Sequence, residues 1–210
     1  MKSRMAENLL LSSGQIHDSW WEHDAVNYPI VDDLVKLIEE AARARREGRT
    51  DDAYRGYVEA VAVCRAGQDR RSLILALRGL GQIERDRGHL EAALAAYEEA
   101  VALARDEGEP LVIAHTVRHA GDILRHLRRF DEADACYREA LAIYRERPEA
   151  APLDVANAVR AMAVLKETLK AEGEALLLWK EARQIYASLS VQAGVDECNA
   201  RLAKLERNEQ

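Results

Sequence analysis

Arginines recur at fixed steps along this sequence. Arg78, Arg118 and Arg160 stand 40 and 42 residues apart, and Arg45, Arg85 and Arg125 stand 40 apart. A guanidinium stays charged in any protein, and its planar fork pairs bidentately with carboxylate or phosphate. Rows of arginine on packed helices would sit roughly 8–10 Å apart. An extended ligand advances about 3.3 Å per residue, so each row could meet an acidic group on every third ligand residue. The same arginines could equally pair with Glu and Asp of adjacent helices, or simply solvate the surface. Gln82 lies between Arg78 and Arg85, and Asn157 lies one turn before Arg160.

His115, His119, Asp122 and His126 follow steps of four, three and four, which places them on one helical face. Histidines four apart on a helix can grip zinc. Here the stretch reads HTVRH, without the Glu of the HExxH arrangement, and Arg118 would repel a metal. The expectation is a polar wall that becomes more cationic below about pH 6.5. A second set of possible ligands, His17, Asp18, Glu22, His23 and Asp24, surrounds Trp20-Trp21 without helical or hairpin spacing. No metal or cofactor is expected at either place. Nor is an enzyme: no glycine-rich phosphate loop occurs, GLGQ at 79–82 falls mid-helix, and no Ser/His/Asp or Cys/His set can be placed.

The elements that must position these residues are set by a repeated cassette. Ala93, Tyr97 and Ala100 recur as Ala53, Tyr57 and Ala60, as Ala133, Tyr137 and Ala140, and as Ala175, Trp179 and Ala182. Small residues let two helices approach, and the aromatic fills the gap beside them. Each cassette is preceded by a second apolar stripe at helical spacing: Leu34, Leu37, Ile38 and Ala41, then Leu73, Ile74, Leu77, Leu80 and Ile83. Val117, Ala120, Ile123 and Leu124 continue the pattern, as do Val155, Val159, Met162 and Leu165. Gly48 and Gly88 punctuate the first two turns, Arg128 replaces that glycine in the third, and Gly173 precedes the last cassette. A final stripe, Val191, Val195, Cys198, Leu202 and Leu205, suits a capping helix or a second subunit.

Composition agrees. Hydrophobic residues make up 48 % and aromatics 5 % of the 210 residues, with four prolines. Ala, Leu, Arg and Glu favour helix. A net charge of −7 disfavours nucleic-acid binding, which needs a basic field. Three widely spaced cysteines fit neither zinc nor a disulfide framework and suggest thiols in a reducing compartment. No membrane span or signal-peptide core is expected, since Leu9-Leu10-Leu11 is too short. The chain is expected to be cytoplasmic, and its Ala- and Arg-rich style suggests a bacterial source.

These features resemble the tetratricopeptide repeat family, whose helix pair carries W-x2-L-G-x2-Y and then A-x3-F…A. Leu77, Leu80, Gly81, Ala93, Tyr97 and Ala100 match that pattern best, followed by Val117, Ala120, Gly121, Ala133, Tyr137 and Ala140. Ala41 and Ala163 stand for the glycine in the first and fourth repeats, and the first-helix Trp is replaced throughout. The step of 40 to 42 is similar to the long repeats of kinesin light chains and bacterial peptide-sensing regulators. The resemblance implies a right-handed α-solenoid whose concave groove binds peptides without catalysis.

The expected architecture is therefore all-α. It comprises an N-terminal extension at 1–30, repeats at 31–69, 70–109, 110–151 and 152–189, and a capping helix with its tail at 190–210. Residues 1–30 are too short for a DNA-binding domain. The leading function is an adaptor holding an acidic, phosphorylated or carboxylate-terminated peptide. Its groove would use Arg45, Arg78, Gln82, Arg85, His115, Arg118, His119, Asp122, Arg125, Asn157 and Arg160. The alternative is a homodimer built through the terminal helix and the N-terminal extension.

Overall fold

The computed structural model describes residues 29–208. The Trp20-Trp21 segment, expected to cover the open end of the repeats or to lie in a groove, falls outside the described residues. So do the possible ligands His17, Asp18, Glu22, His23 and Asp24. Among the described residues there are nine helices and no strand. They are α1 (Pro29–Arg46), α2 (Thr50–Gly67), α3 (Arg70–Asp86), α4 (Leu90–Glu107), α5 (Pro110–His126), α6 (Phe130–Glu146), α7 (Pro152–Thr168), α8 (Glu172–Ser188) and α9 (Gln192–Asn208). The fold is an all-α helical repeat of the solenoid class. Its described residues divide into two compact units, 29–140 and 141–208, with the boundary inside α6.

Helix ends follow local chemistry. Asp69 caps α3 by accepting the Ser72 amide at 3.1 Å. Pro110 and Pro152 open α5 and α7, where a missing N–H costs nothing. The turn inside each helix pair is the same four times. Residues 48, 88, 128 and 170 take φ of +75°, +84°, +62° and +62°. The following amide then donates five residues back, as from Arg49 to Ala44 (2.8 Å), His89 to Glu84 (2.9 Å), Arg129 to Leu124 (2.9 Å) and Ala171 to Lys166 (3.0 Å). That is the left-handed helix cap glycine usually provides. Arg128 and Lys170 adopt it despite a cost of about 1–2 kcal/mol for an L residue. Gly173 does not make the fourth turn; it lies in the first turn of α8, and Lys170 takes the turn position.

In the unit 29–140, the cassette alanines and tyrosines of α2, α4 and α6 are buried. The rings of Tyr57, Tyr97 and Tyr137 lie against glycine backbone of a first helix. A Cβ on Gly81 would meet the Tyr97 ring at 2.7 Å, one on Gly121 would meet Tyr137 at 2.8 Å, and one on Gly79 would collide with Tyr57. These glycines are places where an aromatic replaces a side chain. Burying a ring of this size stabilises by about 1.5–3 kcal/mol. Leu34, Ile74 and Leu77 join Val61 and Cys64 in one core cluster, and Ala41, Tyr57 and Ile83 anchor another. Arg65 grips Glu99 and Arg105 grips Glu139, both at 2.8 Å, tying successive second helices together.

In the unit 141–208, Arg145 grips Glu181 at 3.0 Å in the same manner. Trp179 is fully buried, and its indole N–H donates to Glu167. The α9 stripe packs on α8: Cys198, Leu202 and Leu205 are buried, and Gly194 lets the Tyr186 ring approach. Cys64, Cys136 and Cys198 are free, and burial pushes each thiol up to about 11.

Candidate functional site: an arginine-rich face in residues 29–140

Helices α1, α3 and α5 each bury one stripe in the core and carry arginines elsewhere. Arg45 on α1 donates from Nε to Asp86 on α3 at 2.7 Å, and Arg85 reaches the other oxygen of Asp86 at 3.0 Å. Both arginine side chains are mostly shielded, at 14 % and 13 % exposure, so these contacts outweigh ordinary surface pairs. One repeat step after Asp86 stands His126. Arg85 therefore lacks the acid on α5 that Arg45 has on α3. Burial and the charges of Arg125 and Arg85 lower the His126 pKa, despite the opposing pull of Asp122. The Arg125 Nη2 atom lies 3.4 Å from its ring.

The centre of the face is deeper than helical periodicity implies. Arg118 is 7 % exposed and His119 is 3 % exposed. Arg118 donates to His119 Nε2 at 2.7 Å, which leaves Nδ1 as the protonated nitrogen facing Asp122 at 3.5 Å. Burial first, then Arg118, holds the His119 pKa well below its ordinary value. The wall expected to charge below pH 6.5 is thus held neutral at its middle. Burial alone would raise the Asp122 pKa, but His119 hydrogen bonding and the charges of Arg118 and Arg125 hold it below the usual carboxylate range. Asp122 also accepts the Tyr137 hydroxyl at 2.9 Å. His115 meets His119 edge-on, with ring centroids 4.7 Å apart.

Tyr97 was read from sequence as a spacer, and its tip is the feature periodicity missed. The ring lies between Gly81 on α3 and His119 on α5, stacked on the latter at 5.6 Å. Its hydroxyl is buried and has no hydrogen-bond partner among the described residues. Burial pushes its pKa up to about 12, while the charges of Arg85, Arg78 and Arg118 pull the other way and Asp122 adds to the rise. Gln82 is half-buried on α3, between Arg78 and Arg85. Among the described residues, five guanidiniums (Arg45, Arg78, Arg85, Arg118 and Arg125) on α1, α3 and α5 accompany two carboxylates bonded to them or to their neighbours, Asp86 and Asp122. Glu84, also on α3, is engaged at the turn by His89 at 2.8 Å.

The other two expected site residues lie in the unit 141–208. Arg160 is held bidentately by Glu197 at 2.7 and 2.9 Å, and Asn157 accepts the Tyr186 hydroxyl at 2.7 Å. Among the described residues, no group of three or more His, Cys, Asp or Glu is placed to hold a metal ion.

The sequence matches the tetratricopeptide repeat family over residues 79–107 and 119–147. These two stretches are tetratricopeptide repeats. A further match, to anaphase-promoting complex subunit 5, covers residues 34–87 of this repeat protein. Comparison with curated proteins finds no match. Solved structures share the repeat fold at low identity. The kinesin light chain TPR-like repeats of Podosopora anserina superpose with a TM-score of 0.65 at 15 % identity, covering 88 % of this chain and 99 % of that one. A Rap protein complexed with Competence and Sporulation Factor gives 0.74 at 16 % identity, covering 86 % of this chain and 53 % of that one. The tetratricopeptide repeat sensor protein of the STAND ATPase class from Pyrococcus horikoshii gives 0.74 at 14 % identity. It covers 84 % of this chain, which spans 27 % of that protein. Among the described residues of this repeat protein, no helix is long and apolar enough to cross a membrane.

Proposed function

We propose that this tetratricopeptide repeat protein is a non-enzymatic, cytoplasmic interaction module. It holds an acidic, phosphorylated or carboxylate-terminated peptide segment on the first-helix face of residues 29–140. The observation that carries this reading is the gathering of arginines on α1, α3 and α5, where Arg45 and Arg85 share the single carboxylate of Asp86, in a chain whose net charge is −7. A local basic face on an acidic body attracts an anionic partner while the rest of the surface repels it. Arg45, Arg78, Gln82, Arg85, His115, Arg118, His119, Asp122 and Arg125 form the ligand face. Arg160 and Asn157 are proposed as ligand-contacting residues of the unit 141–208 by itself, and recognition is reversible, without cofactor. The Rap protein of like fold, solved in complex with Competence and Sporulation Factor, is consistent with a recognition role for such repeats.

Selection from a random peptide library tests this. Wild-type protein is expected to enrich peptides rich in Glu, Asp or phosphoserine, and Arg85→Glu is expected to lose that enrichment. Enrichment of neutral or basic peptides would contradict the proposal, as would an unchanged profile for Arg85→Glu.

A further inference from the structure

We infer that the Tyr97 hydroxyl and the Arg85 guanidinium form a seat for a single oxyanion, a carboxylate or a phosphate, between α3 and α5. The inference rests on the reading of this face as the ligand face, and it names the point at which the ligand is anchored.

Three observations lead to it. Two of the other three cassette aromatics have committed polar tips: Tyr137 donates to Asp122, and Trp179 donates to Glu167. Tyr97 occupies the same cassette position, is fully buried, and its hydroxyl has no hydrogen-bond partner among the described residues. A buried hydroxyl left without a partner is costly, and a water, an ion or a ligand group that accepts its proton removes that cost. Second, burial opposes the ionised form of that hydroxyl, and Arg85 is the first of the charges that favour it. Asp122 is already engaged by Tyr137, Arg118 and His119. Third, the helix pair that supplies the pattern has lost its acid here. Where Arg45 meets Asp86, the matching position opposite Arg85 is His126, lowered in pKa by burial and by Arg125 and Arg85. A guanidinium carries five N–H donors, and Asp86 engages only Nε and Nη2 of Arg85.

An incoming oxyanion would accept the Tyr97 O–H and the remaining Arg85 donors, replacing on α5 the carboxylate that α3 offers to Arg45. Charge-assisted hydrogen bonds of this kind are about twice as strong as neutral ones. Gly81 and His119 hold the Tyr97 ring from the two helices, so an entering oxyanion must part the side chains that cover the hydroxyl, not move the ring itself.

The test uses the full chain and two probes, inorganic phosphate and acetate, each compared with sodium chloride at equal ionic strength. Thermal melting is the readout, since a ligand that binds only the folded state raises Tm. Wild type is expected to melt higher in phosphate or acetate than in chloride, and the larger rise tells which oxyanion the seat prefers. Tyr97→Phe is expected to keep or raise its Tm in chloride, because it removes a hydroxyl that has no hydrogen-bond partner among the described residues. It is also expected to lose about tenfold in oxyanion affinity. Arg85→Gln is the second variant and is expected to lose the oxyanion effect as well. Equal melting of wild type in all three salts would overturn the seat, and so would a full oxyanion effect in Tyr97→Phe. A drop of Tyr97→Phe in chloride would also overturn it, by showing that the hydroxyl already has a structural partner. Acidic-peptide selection that survives while the seat fails would leave the broader function standing. An oxyanion effect without acidic-peptide selection would do the reverse.

Discussion

Tyr97 stacks on His119 with ring centroids 5.6 Å apart and planes inclined by 14°. This contact joins the residue that sets the repeat register to the residue at the middle of the arginine-rich face. It also accounts for the depth of that face. His119 is sealed by Tyr97 on one side and held by Arg118 and Asp122 on others, so it cannot behave as a solvated groove histidine.

A pH dependence of stability follows. The folded-state pKa of His119 lies well below the ordinary 6.5 because burial and Arg118 disfavour its charged form. Below pH 6.5 the unfolded chain binds a proton that the folded chain does not. Stability therefore rises with pH through that window and is lost as pH falls from 6.5 toward 5, by up to about 1.4 kcal/mol per pH unit. His126 is shifted in the same direction and adds to the slope. Urea unfolding at pH 7 and pH 5 should show the loss, with a shallower slope in His119→Gln. An identical slope in that variant would remove His119 from the explanation.

The turns offer a stabilising substitution. Lys170 holds φ of +62° where Gly48 and Gly88 hold the same left-handed turn. Lys170→Gly relieves that strain but gives the unfolded chain more freedom, so the net gain is about 0.5–1 kcal/mol. Thermal melting should rise. A fall would mean that the Lys170 side chain contributes more than its backbone costs.

The cassette is tested by overpacking. Ala133 is fully buried at the α6 cassette, whereas Ala135 on the same helix is exposed. Ala133→Leu should lose about 1–3 kcal/mol, while Ala135→Leu should stay within about 0.5 kcal/mol of wild type. Equal melts for the two variants would show that the cassette alanine does not mark a tight helix contact.

Much of this was legible in the sequence because repetition converts one local rule into several aligned ones. The spacing of Ala93, Tyr97 and Ala100 against its copies marks the buried side of every second helix. Arg128 could be seen to replace a turn glycine, although only the backbone shows that it keeps the glycine conformation. The arginine rows were equally legible, but their partners were not. Asp86 meets Arg45 across 41 residues, and whether a side chain spans that gap depends on helix packing rather than on spacing. The Tyr97 tip was hidden for a related reason. A helical wheel assigns a residue to one side, while a long aromatic on the buried side can pass its polar end through to the next helix. Glu197, which holds Arg160, lies on the terminal helix outside the repeat step, so no alignment of repeats could bring the two together.

The most direct test of the acidic-ligand face is fluorescence anisotropy with labelled hexaglutamate and hexalysine at low salt. A chain of net charge −7 that attracts by overall charge alone would bind hexalysine. The local face of Arg45, Arg78, Arg85, Arg118 and Arg125 predicts binding of hexaglutamate instead, weakened about tenfold by Arg85→Glu and lost progressively with salt. Preference for hexalysine, or hexaglutamate binding indifferent to Arg85→Glu, would contradict the account.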